Sequence, residues 1–120
     1  MKAILIVDDE FDARRTLELL FEMEGYETMS AQNGEVALAK IAGRKPHIIL
    51  TDWMMPVMDG YEFCSRVRAN PVTKSIPIIL LTAAVSAALP KEKLWDVRVA
   101  KPAYFEQLLS LVDELTADTK

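Results

Sequence analysis

At four places along the chain a chemically capable polar side chain directly follows a short, largely apolar run. Asp8 and Asp9 follow Ala3-Ile4-Leu5-Ile6-Val7, Asp52 follows His47 to Thr51, Thr82 follows Ile76 to Leu81, and Lys101 follows Val97 to Ala100. Runs of this length, rich in Val, Ile and Leu, are those buried on both faces of a parallel sheet. Polar groups at their carboxyl ends then fall in the crevice where open α/β sheets bind ligands. Three carboxylates gathered there repel one another and raise each other's pKa unless a cation neutralises them. Mg²⁺, which takes oxygen ligands and commonly pairs one or two carboxylates with phosphate oxygens and water, meets that need. It leaves Asp52 free as a nucleophile toward phosphorus, with Lys101 to offset developing phosphoryl charge and Thr82 to donate a hydrogen bond. The chemistry is that of an aspartyl phosphate.

Singly, these residues are bland: Asp52 could cap a turn through an Asx-type bond, Asp8-Asp9-Glu10 could be a solvated acidic turn, and a lone Thr82 or Lys101 is ordinary surface. Their joint position at strand ends makes the case. Met54, Met55 and Met58 are expected to pack rather than ligate, since hard cations do not choose thioethers. Trp53 is expected in the core or half-exposed beside the site, His47 at the surface remote from it, and Cys64 in the core.

The elements that position these groups follow from periodicity and punctuation. Asp12 to Glu24 carries Ala13, Leu17, Leu20 and Phe21 at helical spacing, and Gly25 follows as a C′ residue. Tyr26 to Ala31 reads as a second strand. Asn33 caps a helix over Gly34 to Ala42, and Asp59 with Glu62 has capping-box spacing for a helix that Asn70-Pro71 ends. Residues 83 to 95 are Ala-rich but broken by Pro90, which predicts a short or irregular fourth helix. Tyr104 to Leu115 gives a last helix with Phe105, Leu108, Leu109 and Val112 on one face. The class is α/β, a doubly wound parallel sheet of five strands and five helices with right-handed crossovers.

With 120 residues, 51% of them hydrophobic, one domain spanning 1–120 is expected, with a polar tail from about residue 116. A net charge of −4 with no run of Lys or Arg argues against direct contact with nucleic acid or an anionic membrane. The lone cysteine and the absence of a signal-length apolar segment predict a reducing cytoplasm and no membrane insertion.

At the strand ends the chain resembles the response regulator receiver domain, the phospho-accepting half of two-component signalling. The resemblance runs from Lys2 to about Leu115. It rests on Val7-Asp8-Asp9-Glu10, on Asp52-Trp53-Met54-Met55-Pro56 with Met58-Asp59-Gly60, on Leu81-Thr82-Ala83 and on Lys101-Pro102. It implies a sheet order of 2-1-3-4-5, Mg²⁺ as the metal, Asp8 and Asp9 as metal-binding acids and Asp52 as phosphoacceptor and third carboxylate. Met54 would give a backbone carbonyl to the metal, Thr82 would follow the phosphoryl group and Lys101 would be its counter-ion. A cis bond before Pro102 is implied too. The implied partners are a histidine kinase or phosphotransfer protein and a downstream protein target or effector domain.

Two departures stand out: Arg98 occupies the position three before Lys101 where the family usually carries Tyr or Phe, and the interval from Thr82 to Lys101 is short. A receiver-like interaction module that is never phosphorylated is the rival reading. A phosphatase with an Asp nucleophile fits less well, because it wants a second acid two residues after the nucleophile, where Met54 stands.

Overall fold

A computed structural model describes residues 1–83 and 94–117. Five strands, β1 (Ala3–Val7), β2 (Glu27–Ala31), β3 (Ile48–Asp52), β4 (Ile78–Thr82) and β5 (Val97–Ala100), form one parallel sheet in the order β2-β1-β3-β4-β5. Helices α1 (Phe11–Met23), α2 (Gly34–Gly43), α3 (Gly60–Ala69) and α4 (Phe105–Leu115) cover it. The expected irregular helix between 83 and 95 falls on residues 84–93, outside the described residues, which hold four helices rather than five.

The three central strands are buried at every position, which is why their sequences are unbroken apolar runs rather than alternations. Period-two geometry sorts them onto two faces. Leu5, Val7, Ile49, Ile78 and Leu80 meet Ala37, Ile41, Phe63 and Val67 of α2 and α3. Ile4, Ile6, Ile48, Leu50, Ile79 and Leu81 meet Phe21, Leu108 and Val112 of α1 and α4. Cys64 lies in the first cluster, and burial pushes its thiol up to about 12, as befits a packing residue.

The helix ends follow local chemistry. Asn33 Oδ1 accepts from the Val36 amide at 2.9 Å, and Asp59 Oδ1 from the Glu62 amide at 2.8 Å. Glu62 turns to Arg66 at 3.1 Å, so the capping box is formed from one side. Gly25 takes φ +90 just past α1, the left-handed position glycine fills without strain. β4 begins at Ile78 rather than Ile76, although the carbonyl of Pro77 already accepts from the Ile49 amide at 3.0 Å.

His47 corrects an expectation. It is half-buried, its Nδ1 accepts from the Ala3 amide at 2.9 Å and its own amide donates to the Ala3 carbonyl at 2.8 Å. The ring thus stands in for a strand acceptor where β1 begins, a structural use at the end of the sheet away from the crevice. Among the described residues no helix is long and apolar enough to cross a membrane.

Candidate functional site

Because β1, β3, β4 and β5 are parallel, their carboxyl ends all open at one edge. Register aligns the tips: Val7 pairs with Thr51, Asp52 with Leu81 and Thr82 with Ala100. Asp8 carries the line one residue past β1, its amide donating to the Ala31 carbonyl at 3.1 Å. Asp52 is the last residue of β3, and the Trp53 amide beyond it donates to the Leu81 carbonyl at 3.0 Å. Lys101 follows β5 and is pinned to β4 by its amide on the Thr82 carbonyl at 3.0 Å, ahead of a cis Lys101–Pro102 bond. The structure therefore brings Asp8, Asp9, Asp52, Thr82 and Lys101 to one edge.

One carboxylate oxygen from each of Asp8, Asp9 and Asp52 lies within 4.8 Å of the other two. Asp8 and Asp52 are buried, while Asp9 is exposed. Lys101 Nζ donates to Asp52 Oδ2 at 2.8 Å, and the Met54 amide approaches Asp52 Oδ1 at 3.4 Å. Burial raises the Asp8 pKa, the charges of Asp52 and Asp9 add to the rise, and the Glu10 amide and Lys101 oppose it. Burial alone would lower Lys101, but the hydrogen bond and charge of Asp52, with Asp8 and Asp9 behind, raise it overall. Three carboxylates thus share one ammonium. This set of hard oxygen donors carries surplus negative charge and suits a small divalent cation better than a thiophilic one.

Thr82 is fully buried one step beyond Asp52's partner on β4. Met54 departs from the packing expected of it: its side chain is 69% exposed, whereas Met58 is buried and Met55 packs on the core. What Met54 offers the crevice is backbone. Trp53 is half-buried, its ring edge-on to Tyr61 and Trp95. A cleft of about 690 Å³ runs from Asp8 and Lys101 between the start of α1 and the β5–α4 turn.

Two residues bear on this edge in ways motif reading passed over. Gly60 entered the sequence reading only as part of a motif, but a Cβ there would sit 2.8 Å from Trp53 Cα and 2.9 Å from the Asp52 carbonyl oxygen. Arg14 Nη1 donates to the Asp8 carbonyl at 2.8 Å. The available signal was its place in the second turn of α1, since helical side chains lean back toward the N-terminus.

The model of the family described as "Response regulator receiver domain" matches residues 4–113. Over 82 residues, 68% of the chain, the sequence is 48% identical to the phosphate regulon transcriptional regulatory protein PhoB of Pseudomonas aeruginosa, of whose length it spans 36%. The structure superposes on the chemotaxis protein CheY4 of Vibrio cholerae with a TM-score of 0.86 at 32% identity, covering 96% of this chain and 98% of that one. It superposes on the response regulator TrrA of Thermotoga maritima, in complex with Mg²⁺ and BeF, with a TM-score of 0.85 at 36% identity, covering 96% and 99%.

Proposed function

The chain belongs to the response regulator receiver domain family, and from that premise we propose that it takes a phosphoryl group onto Asp52 from a histidine kinase or phosphotransfer histidine and so switches its contacts with a protein target. The observation that carries the reading is the convergence of Asp8, Asp9 and Asp52 within 4.8 Å, with Lys101 Nζ 2.8 Å from Asp52 Oδ2.

In this reading an oxygen of Asp52 forms a bond to phosphorus as the bond from phosphorus to the donor imidazole nitrogen breaks, the electron pair leaving with the ring. Asp52 is held for attack by the β3 backbone and by Lys101, whose pKa burial would lower but the hydrogen bond and charge of Asp52 raise. Lys101 then balances the phosphoryl oxygens, and the Thr82 hydroxyl hydrogen-bonds one of them. Asp8, Asp9, Asp52 and the Met54 carbonyl are the groups that would hold Mg²⁺, which when bound would screen the negative charge of the transferring group. The proposed unit is a single receiver domain that works in the cytoplasm, where the buried Cys64 stays reduced.

Intact mass after incubation with a small phosphodonor and Mg²⁺ tests the assignment. The native chain should gain one acid-stable, base-labile phosphate and Asp52→Asn none. Equal gain in both would remove Asp52 as acceptor, and no gain in either would favour the unphosphorylated interaction module.

A further inference from the structure

We propose that Arg14 is a positioning residue for the cation site, holding the β1–α1 turn in the shape that presents Asp8 and Asp9 to Asp52. The proposal rests on the reading of those three acids as metal ligands.

Asp8 is fixed at both backbone atoms and at its side chain. Its amide donates to the Ala31 carbonyl at 3.1 Å, its carbonyl accepts from Arg14 Nη1 at 2.8 Å, and its Oδ1 accepts from the Glu10 amide at 2.9 Å. Asp9 differs. Among the described residues no hydrogen bond holds its exposed carboxylate, so its aim depends on the backbone either side of it. The Arg14 guanidinium holds the Asp8 side of it, while the Glu10 side is held by the first backbone bond of α1, from the Arg14 amide to the Glu10 carbonyl at 3.0 Å. Glu10 makes no side-chain cap on α1, and the Arg14 guanidinium gives the helix a side-chain tie to the Asp8 backbone. The guanidinium lies 5.5 Å from the centre of the Phe11 ring, which limits where the side chain can swing.

Charge and position predict opposite signs. A positive charge on the β1–α1 turn weakens Mg²⁺ binding by repulsion, so if Arg14 acted through its field alone, a neutral replacement would tighten binding. If it acts by position, the same replacement weakens binding, as loss of groups supporting metal ligands does, by about tenfold or more.

The experiment is calorimetric titration of Mg²⁺ into the native chain, Arg14→Met, Arg14→Lys and Phe11→Ala, with urea unfolding of each. Arg14→Met should bind about tenfold more weakly and Arg14→Lys, whose ammonium can still donate to the Asp8 carbonyl, within about threefold of native. Phe11→Ala, at an exposed position, should fold normally and bind more weakly than native. In metal-free protein the Asp9 and Glu10 amides should exchange faster in Arg14→Met. Unchanged or tighter binding by folded Arg14→Met, with only a lower urea midpoint, would overturn the proposal. Neither heat nor a change in tryptophan emission when Mg²⁺ is added to the native chain would overturn the cation site itself and this inference with it, whereas binding by the native chain with affinity undiminished in Phe11→Ala and Arg14→Met would remove the Arg14 role alone.

Discussion

Trp53 and Trp95 meet edge to face, their ring centroids 5.9 Å apart at 76°, so the residue next to Asp52 touches the residue two places before β5. Trp95 is clamped from both sides. Arg68 Nε donates to the Leu94 carbonyl at 2.9 Å, Arg68 Nη2 to Asp96 Oδ2 at 2.8 Å, and the Ile78 amide donates to the same oxygen at 2.7 Å. A ring pair of this geometry adds about 0.5–1.5 kcal/mol beyond area burial. Trp53 therefore sits between the acidic crevice and a neighbour tied into the β4–β5 edge.

In a Trp95→Phe variant the remaining indole should report on the acidic crevice. Adding Mg²⁺ should change Trp53 emission with a half-point near the millimolar range, about −4 kcal/mol of binding. Asp9→Ala should weaken that response, and a flat titration without calorimetric heat would count against the cation site.

The raised pKa of Asp8 sets a pH dependence. Its folded value lies above the unfolded 3.8, so the folded state holds the proton more tightly; the stability this gives is present below that pH and lost as pH rises through the folded value. At neutral pH without metal the ionised Asp8 therefore works against folding, through burial first and then the charges of Asp52 and Asp9. Asp8→Asn should raise the metal-free urea midpoint at pH 7 and flatten its pH profile. Added Mg²⁺ should reverse the order, because binding to the folded state favours the native chain. A lower midpoint for metal-free Asp8→Asn would contradict the sign.

Much of this site was legible in the sequence because a buried parallel strand has to be apolar throughout, so Asp8, Asp52 and Thr82 stand out where the runs stop. What was not legible depends on contacts between distant segments. Nothing near His47 announces that its ring accepts from Ala3, and nothing near Arg68 announces bonds to Lys74, Ile76, Leu94 and Asp96. Met54 misled because apolar character alone suggests packing, whereas the turn after β3 directs that side chain outward.

Val57 takes φ +70 with 75% of its surface exposed, and the Met58 amide donates to the Pro56 carbonyl at 2.7 Å across it. A tight three-residue turn with a β-branched residue at positive φ is strained by roughly 1–3 kcal/mol. Val57→Gly should relieve that strain with little burial to lose, gaining about 1 kcal/mol net of glycine's added unfolded-state entropy. Urea unfolding measures it, and a loss of stability would show that the turn is not strained.

Gly60 should tolerate no side chain, because its Cβ would meet the backbone of Trp53 and Asp52, which cannot swing aside as a flexible side-chain tip could. Gly60→Ala should lower stability by about 1–3 kcal/mol and slow phosphorylation of Asp52 by roughly tenfold or more as the nucleophile is displaced. Native phosphorylation kinetics in a destabilised variant would separate the two effects and sink the second.

The last prediction is that Arg98 stays outward in both signalling states, so that output does not use a ring moving inward at this position. Arg98 pairs in register with Leu80, a fully buried core residue, yet is itself exposed, and among β5 residues only Val99 is buried. A Tyr or Phe here could turn in toward the core at little penalty. Burying a guanidinium without a partner costs several kcal/mol, comparable with the roughly 5.5 kcal/mol of differential stabilisation that carries an equilibrium from 1:99 to 99:1. Phosphorylation would have to supply both amounts if Arg98 swung inward. An outward Arg98 would instead be a charge offered to a partner, so Arg98→Ala should leave the rate of Asp52 phosphorylation within about twofold of native while weakening the phosphorylated domain's binding to its target. Spectra of an Arg98 guanidinium label-selective NMR sample, with and without phosphoryl group, check the geometry: solvent-exchange rates that stay fast in both states agree, and protection appearing on phosphorylation would mean that Arg98 does turn inward.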